Sequence, residues 1–158
     1  MNKTRLQTLI IDRLQADLTV ARDALKASHE AATHAESKAE NKYDTRGLEA
    51  AYLADGQRRR VHEIETALMA YRNLPVQMLK ESPIRVGALF SLDQEGVERL
   101  IFLGPDAAGL RIADEGREVL VITPHSPLGQ ALLGRAEGDE VELQVEGRRQ
   151  RCEVMEVW

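Results

Sequence analysis

Cysteine is nearly absent from this chain of 158 residues; the single one is Cys152. One thiol excludes an internal disulfide framework and a cysteine zinc site. Cys152 lies in an apolar–polar alternation and reads as a small strand residue. Nothing in the chain requires oxidation, so a reducing cytoplasm is the expected location. Long apolar runs are missing too. None reaches the ~18 residues of a membrane span, and no basic patch followed by an apolar stretch opens the chain as a secretory signal would. There is no glycine-rich phosphate loop. The four histidines, His29, His34, His62 and His125, lack metal-ligand spacing. His125 and Ser126 are adjacent, and adjacent side chains do not point at each other as a triad needs. An enzyme acting alone is therefore not expected.

Charge is uneven. Residues 1–74 hold 12 Lys+Arg against 11 Asp+Glu, and residues 75–158 hold 9 against 15. An autonomous duplex-DNA binder would present a basic face with few acids. A protein partner, or nucleic acid already held by one, fits this balance better.

Proline and glycine are absent from residues 2–38, which are rich in Ala, Leu, Arg, Asp and Gln, all but Asp good helix formers. Ile11, Leu14, Leu18, Ala21, Leu25, Ser28, Ala32 and Ala35 recur at alternating spacings of three and four, the seam of a heptad coiled coil. Gly47, Ala50, Ala54, Gln57, Val61, Ile64, Leu68 and Tyr71 repeat the alternation. Leu74-Pro75 ends it, because proline disfavours helix in the residue before it. Paired antiparallel, from Ile11 with Tyr71 to Ala35 with Gly47, the two seams keep a constant sum of residue numbers. That register predicts a hairpin folding back at Asn41. Large seam residues lie at the base and small ones at the tip, so the hairpin should taper. Arms of ~35 residues would extend roughly 50 Å, a length that suits reach better than stability.

The tip, near 36–46, gathers Glu36, Glu40 and Asp44 with Lys38, Lys42 and Arg46. As a solvated loop these are helix-end charges, with Asp44 a cap for the second helix. As a site, Glu40 and Asp44 could share a hard cation such as Mg²⁺, which usually takes one or two protein carboxylates. Arg58, Arg59 and Arg60 form either a solvated helix face or a stripe that meets phosphates inside a partner.

Residues 76–83 read as a linker between residues 1–75 and a second domain at 84–158. From Val86 the pattern turns to period two and β-branched residues, predicting strands near 86–92, 97–103, 108–112, 118–123, 139–146 and 150–157. The last strand slips by one at Met155, the mark of a bulge. Ser126-Pro127 supplies an N-cap and N1 proline and Gly134 a stop, predicting one short helix against an antiparallel sheet. The fold class is thus α+β.

Ile122-Thr123-Pro124-His125-Ser126-Pro127-Leu128-Gly129-Gln130-Ala131-Leu132-Leu133-Gly134, followed by Gly138-Asp139-Glu140-Val141, resembles the C-terminal signature of bacterial Gre transcript-cleavage factors. The order of hairpin then β domain also agrees, so the resemblance covers nearly the whole chain. It implies an N-terminal coiled coil entering the secondary channel of bacterial RNA polymerase. It also implies a C-terminal domain of FK506-binding-protein-like fold that docks on the polymerase through Ser126, Pro127, Leu128 and Gly129. The family's tip pattern is Asp-x-x-Glu-Asn. Here Glu40 and Asn41 match, and Ser37 holds the Asp position, with Glu36 or Asp44 available in its place.

Three functions compete. In the first, tip carboxylates Glu40, Asp44 and Glu36 help hold the polymerase's Mg²⁺ and stimulate its intrinsic cleavage of backtracked transcripts. Arg46 and Arg58–Arg60 would then lie near nascent RNA, and the chain would act as a monomer without a cofactor of its own. In the second, the same reach regulates polymerase without cleavage, which the altered tip favours. In the third, the hairpin is a structural adaptor that dimerises.

Overall fold

A computed structural model describes residues 1–37 and 46–158, the side chains of 35–37 and 145 excepted. Two long helices, α1 (Lys3–Ser37) and α2 (Arg46–Arg72), precede six strands and a short helix: β1 (Leu89–Gln94), β2 (Val97–Leu103), β3 (Arg111–Asp114), β4 (Arg117–Ile122), α3 (Pro127–Leu132), β5 (Glu140–Val145) and β6 (Arg148–Val157). The chain divides into two compact units, Ile11–Met69 and Met1–Ile10 with Ala70–Trp158.

In the unit Ile11–Met69, heptad spacing turns one stripe of each helix inward. Leu14, Leu18, Ala21, Ser28 and Ala32 are buried on α1, and Ala54, Val61, Ile64, Ala67 and Leu68 on α2. Gly47 is buried, and Ile11, Leu25, Ala50 and Gln57 are half-buried. Arg22 Nη2 reaches Glu65 Oε1 across the pair at 2.9 Å. Asn41, where the register places the fold-back, lies outside the described residues.

The other unit is built from three hairpins, β1–β2, β3–β4 and β5–β6. Each closes through the same two residues, Glu95-Gly96, Glu115-Gly116 and Glu146-Gly147. All six have positive φ, from 49° to 84°. Positive φ at both central positions is the type I′ turn, whose twist matches that of the strands it joins. The sheet order is β3-β4-β2-β1-β6-β5. It departs from the antiparallel expectation at one place: β2 and β4 pair in parallel. The segment 104–110 carries the chain across to β3, so β3 takes the edge and β4 returns beside β2. The slip at Met155 is a bulge. Ser91 pairs with Glu156 and Leu92 with Val154, leaving Met155 as the extra residue.

Both faces of the sheet are covered. Phe90, Leu92, Ile101, Leu103 and Ile122 form one core with Leu132 of α3 and with Val141, Leu143, Cys152 and Val154. The segment expected as a linker adds Leu79 to that core. On the other face Leu89, Leu100, Phe102, Val119 and Val121 are buried, and so are Leu6, Ile10 and Tyr71 from the helix ends. The Tyr71 and Phe102 rings stand 6.4 Å apart. Asn2 caps α1 by accepting from the Arg5 N–H at 3.0 Å. Gln7 Nε2 donates to the carbonyls of Tyr71, in the last turn of α2, and of Leu74, just past it. Lys3 is buried; its ammonium donates to the Gly87 carbonyl at 3.0 Å and the Trp158 main-chain oxygen at 2.8 Å. Burial, and secondarily the Arg85 charge, lowers its pKa.

Candidate functional site

The sequence points to two places, the α3 turn and the hairpin tip. The α3 turn begins where β4 ends. Ser126, in extended conformation, caps the helix: its Oγ accepts from the Gly129 N–H at 3.1 Å and donates to the Thr123 carbonyl at 2.7 Å. Pro127 follows at N1, where its missing N–H costs nothing. Gly129 is buried, and a Cβ there would overlap the Thr123 carbonyl oxygen. Gly134, at φ 80°, ends the turn, and its N–H donates to Ile84 O at 2.8 Å while Ile84 N–H donates to Arg135 O at 2.7 Å.

The four residues expected to dock thus have different duties. Ser126 and Gly129 spend their polar groups and space within the turn. Leu128 is half-buried against the core. Pro127 is exposed. Alongside it the structure exposes His125 and Gln130, and Leu133 at 47 %. Leu133 and Gly134 also line a groove of about 430 Å³ with Ser82, Pro83, Ile84 and Arg85. Sequence reading missed Leu133 and the Pro83–Arg85 wall. The signal for Leu133 was available, since it directly precedes the stop glycine and follows buried Leu132.

The tip carboxylates Glu40 and Asp44 lie outside the described residues, as do Lys38, Asn41 and Lys42. The side chains of Glu36 and Ser37 are likewise not described. Among the described residues no group of three His, Cys, Asp or Glu could hold a metal.

The arginine run is exposed on α2. Arg58 pairs with Asp55 at 2.5 Å, and Arg60 lies 3.8 Å from Glu63. Arg58 and Arg59 line an open groove with Tyr52, Asp55, His62 and Glu63. Arg46 is exposed at the first position of α2. The half-buried Gln57 takes the inward position, leaving all three arginines outward. Asp55 and Glu63 thus place a carboxylate beside Arg58 and beside Arg60.

Cys152 is 1 % exposed, and burial first, then Glu95, raises its thiol pKa. Among the described residues no helix is long and apolar enough to cross a membrane.

Residues 89–158 match the family described as transcription elongation factor, GreA/GreB, C-terminal domain. No curated protein matches the chain. Similar solved structures include the transcription factor Gfh1, 21 % identical over 93 % of this chain and 92 % of that one, with a TM-score of 0.41. GreA factor homolog 1 of Thermus thermophilus is 19 % identical over 94 % of both chains, with a TM-score of 0.39. A GreA/GreB elongation factor from Nitrosomonas europaea is 22 % identical over 65 % of this chain and 78 % of that one, with a TM-score of 0.35.

Proposed function

We infer that this chain, which belongs through residues 89–158 to the GreA/GreB family of transcription elongation factors, binds RNA polymerase and stimulates its cleavage of backtracked transcripts. The observation that carries the reading is the α3 turn. Its Ser126 cap is hydrogen-bonded within the turn, and it presents Pro127 and Leu133 from a domain of the matching family. The β domain docks on the enzyme, and the hairpin reaches the secondary channel. There Glu40, with Asp44 or Glu36, would help hold a polymerase Mg²⁺, which when bound would supply charge stabilisation for phosphodiester hydrolysis. Arg46, Arg58, Arg59 and Arg60 lie toward the RNA. The hydrolysis belongs to the polymerase, so the chain alone has no activity.

Ser37, at the family's Asp position, favours a second reading: a channel regulator that docks in the same way without promoting cleavage. A stalled, backtracked polymerase complex distinguishes the two. Shortening of the transcript from its 3′ end upon addition of the protein supports stimulation. An intact transcript, with competition for the channel, supports the regulator. Failure to do either removes both.

A further inference from the structure

The apolar core around α3 takes side chains from β1, β2, β4, β5 and β6 and none from β3. The outer part of the sheet is thus left uncovered by that helix. A groove of about 480 Å³ lies there, lined by Glu98, Arg99, Leu100, Arg111, Arg117, Glu118 and Leu120. Leu120 is half-buried, part in the core and part in the groove. Three of the nine cations of residues 75–158 therefore surround one groove, in a half of the chain with 15 acids. Arg111 is paired with Glu118. The exposed guanidinium groups of Arg99 and Arg117 make no ion pair or hydrogen bond among the described residues.

We propose that this groove docks an acidic segment of a protein partner, with carboxylates on Arg99 and Arg117 and an aliphatic side chain against Leu120. Charge complementarity selects the occupant. A guanidinium is a fork that matches a carboxylate, and half-buried Leu120 offers an aliphatic contact. Nucleic acid fits poorly. The groove has no aromatic platform for bases among its lining residues. This surface is separate from the α3 turn, and the proposal stands whether or not the chain stimulates cleavage.

The test is an amide NMR titration of the full chain with an acetylated peptide of alternating Glu and Leu. Its Gln-for-Glu counterpart and a short oligothymidylate serve as comparison probes. Saturable shifts at residues 98–100, 111–113 and 117–120 are expected. Arg99→Glu with Arg117→Glu should weaken the binding by at least about tenfold, whereas Arg148→Glu with Arg149→Glu should not. If the charge reversal disturbs folding, Arg99→Gln with Arg117→Gln makes the same test. Absent or displaced shifts, undiminished binding by the charge-removed variant, or equal binding of the Gln peptide would overturn the proposal. Tighter binding of the oligonucleotide in this groove would replace the protein partner with nucleic acid.

Discussion

The Tyr71 hydroxyl lies where a side chain on Gly104 would begin. A Cβ at Gly104 would overlap the hydroxyl oxygen and press on Cζ and on Val121. The same hydroxyl donates to the Asp106 carbonyl at 2.9 Å. The end of α2 is thus seated on the segment that follows β2, and the seat exists because residue 104 has no side chain. Gly104→Ala should cost about 1–3 kcal/mol in denaturant unfolding, the range for overpacking a filled site. Tyr71→Phe alone should cost about 1 kcal/mol for the lost hydrogen bond. Combined, the two should cost less than their sum, because Phe removes the atom that Ala strikes. Strict additivity would show that the overlap is relieved elsewhere.

The same phenol predicts an alkaline limit. Burial first, and then Asp106, raises its pKa far above the ordinary 10.0. Above pH ~10 the unfolded chain releases this proton and the folded chain does not, so stability is complete below ~10 and falls as pH rises toward the folded value. The slope should approach ~1.4 kcal/mol per pH unit. Lys3, with its lowered pKa, contributes the opposite sign below its ordinary 10.5. Comparing wild type with Tyr71→Phe isolates the tyrosine: the variant should lose the alkaline fall. If both proteins weaken in parallel, the fall has another source.

The docking assignment separates two residues of α3. Gly129→Ala should disrupt the turn itself, because the new Cβ meets the Thr123 carbonyl; lower thermal stability and weaker polymerase binding should appear together. Pro127→Glu should leave the melting temperature nearly unchanged and still weaken binding, through a misplaced charge at an exposed position. Full binding by a folded Pro127→Glu protein would move the interface elsewhere, with Leu133 and the Pro83 groove next to be tested.

At the tip, Glu40→Ala should reduce cleavage stimulation by at least ~10-fold, equivalent to ~1.4 kcal/mol of barrier. Polymerase binding should survive, since docking is assigned to the other unit. Glu36→Ala and Asp44→Ala identify the second carboxylate. Ser37→Asp restores the family pattern and should raise activity. An active Glu40→Ala protein would remove this carboxylate from the mechanism.

What could be read from the sequence was local. The Met155 slip is a feature of one strand's alternation, and it appears as the bulge opposite Ser91 and Leu92. The cap at Ser126 and the stop at Gly134 are set by neighbours in the chain. The parallel pairing of β2 with β4 was not legible, because strand order depends on how hairpins assemble and leaves no mark on either strand's pattern. Lys3 was illegible for a similar reason. A lysine in a first helical turn reads as solvated, and the carbonyls that hold it come from residues 87 and 158. Within the candidate site, the motif marked α3 but not the division of labour inside it. Gly129 is fixed by a carbonyl that the motif does not name as its neighbour.

The three Glu-Gly turns carry a kinetic consequence. Each hairpin closes over two residues, a contact that forms in ~1–10 μs. Joining them is slower in kind. Phe90 must find Val157, and β2 must meet β4 with β3 looped outside, and such distant pairings slow folding through the entropy of loop closure. Refolding of this unit should therefore be limited by the docking of hairpins already formed. Shortening the separation between β1 and β6 by circular permutation should speed it more than any improvement to a turn.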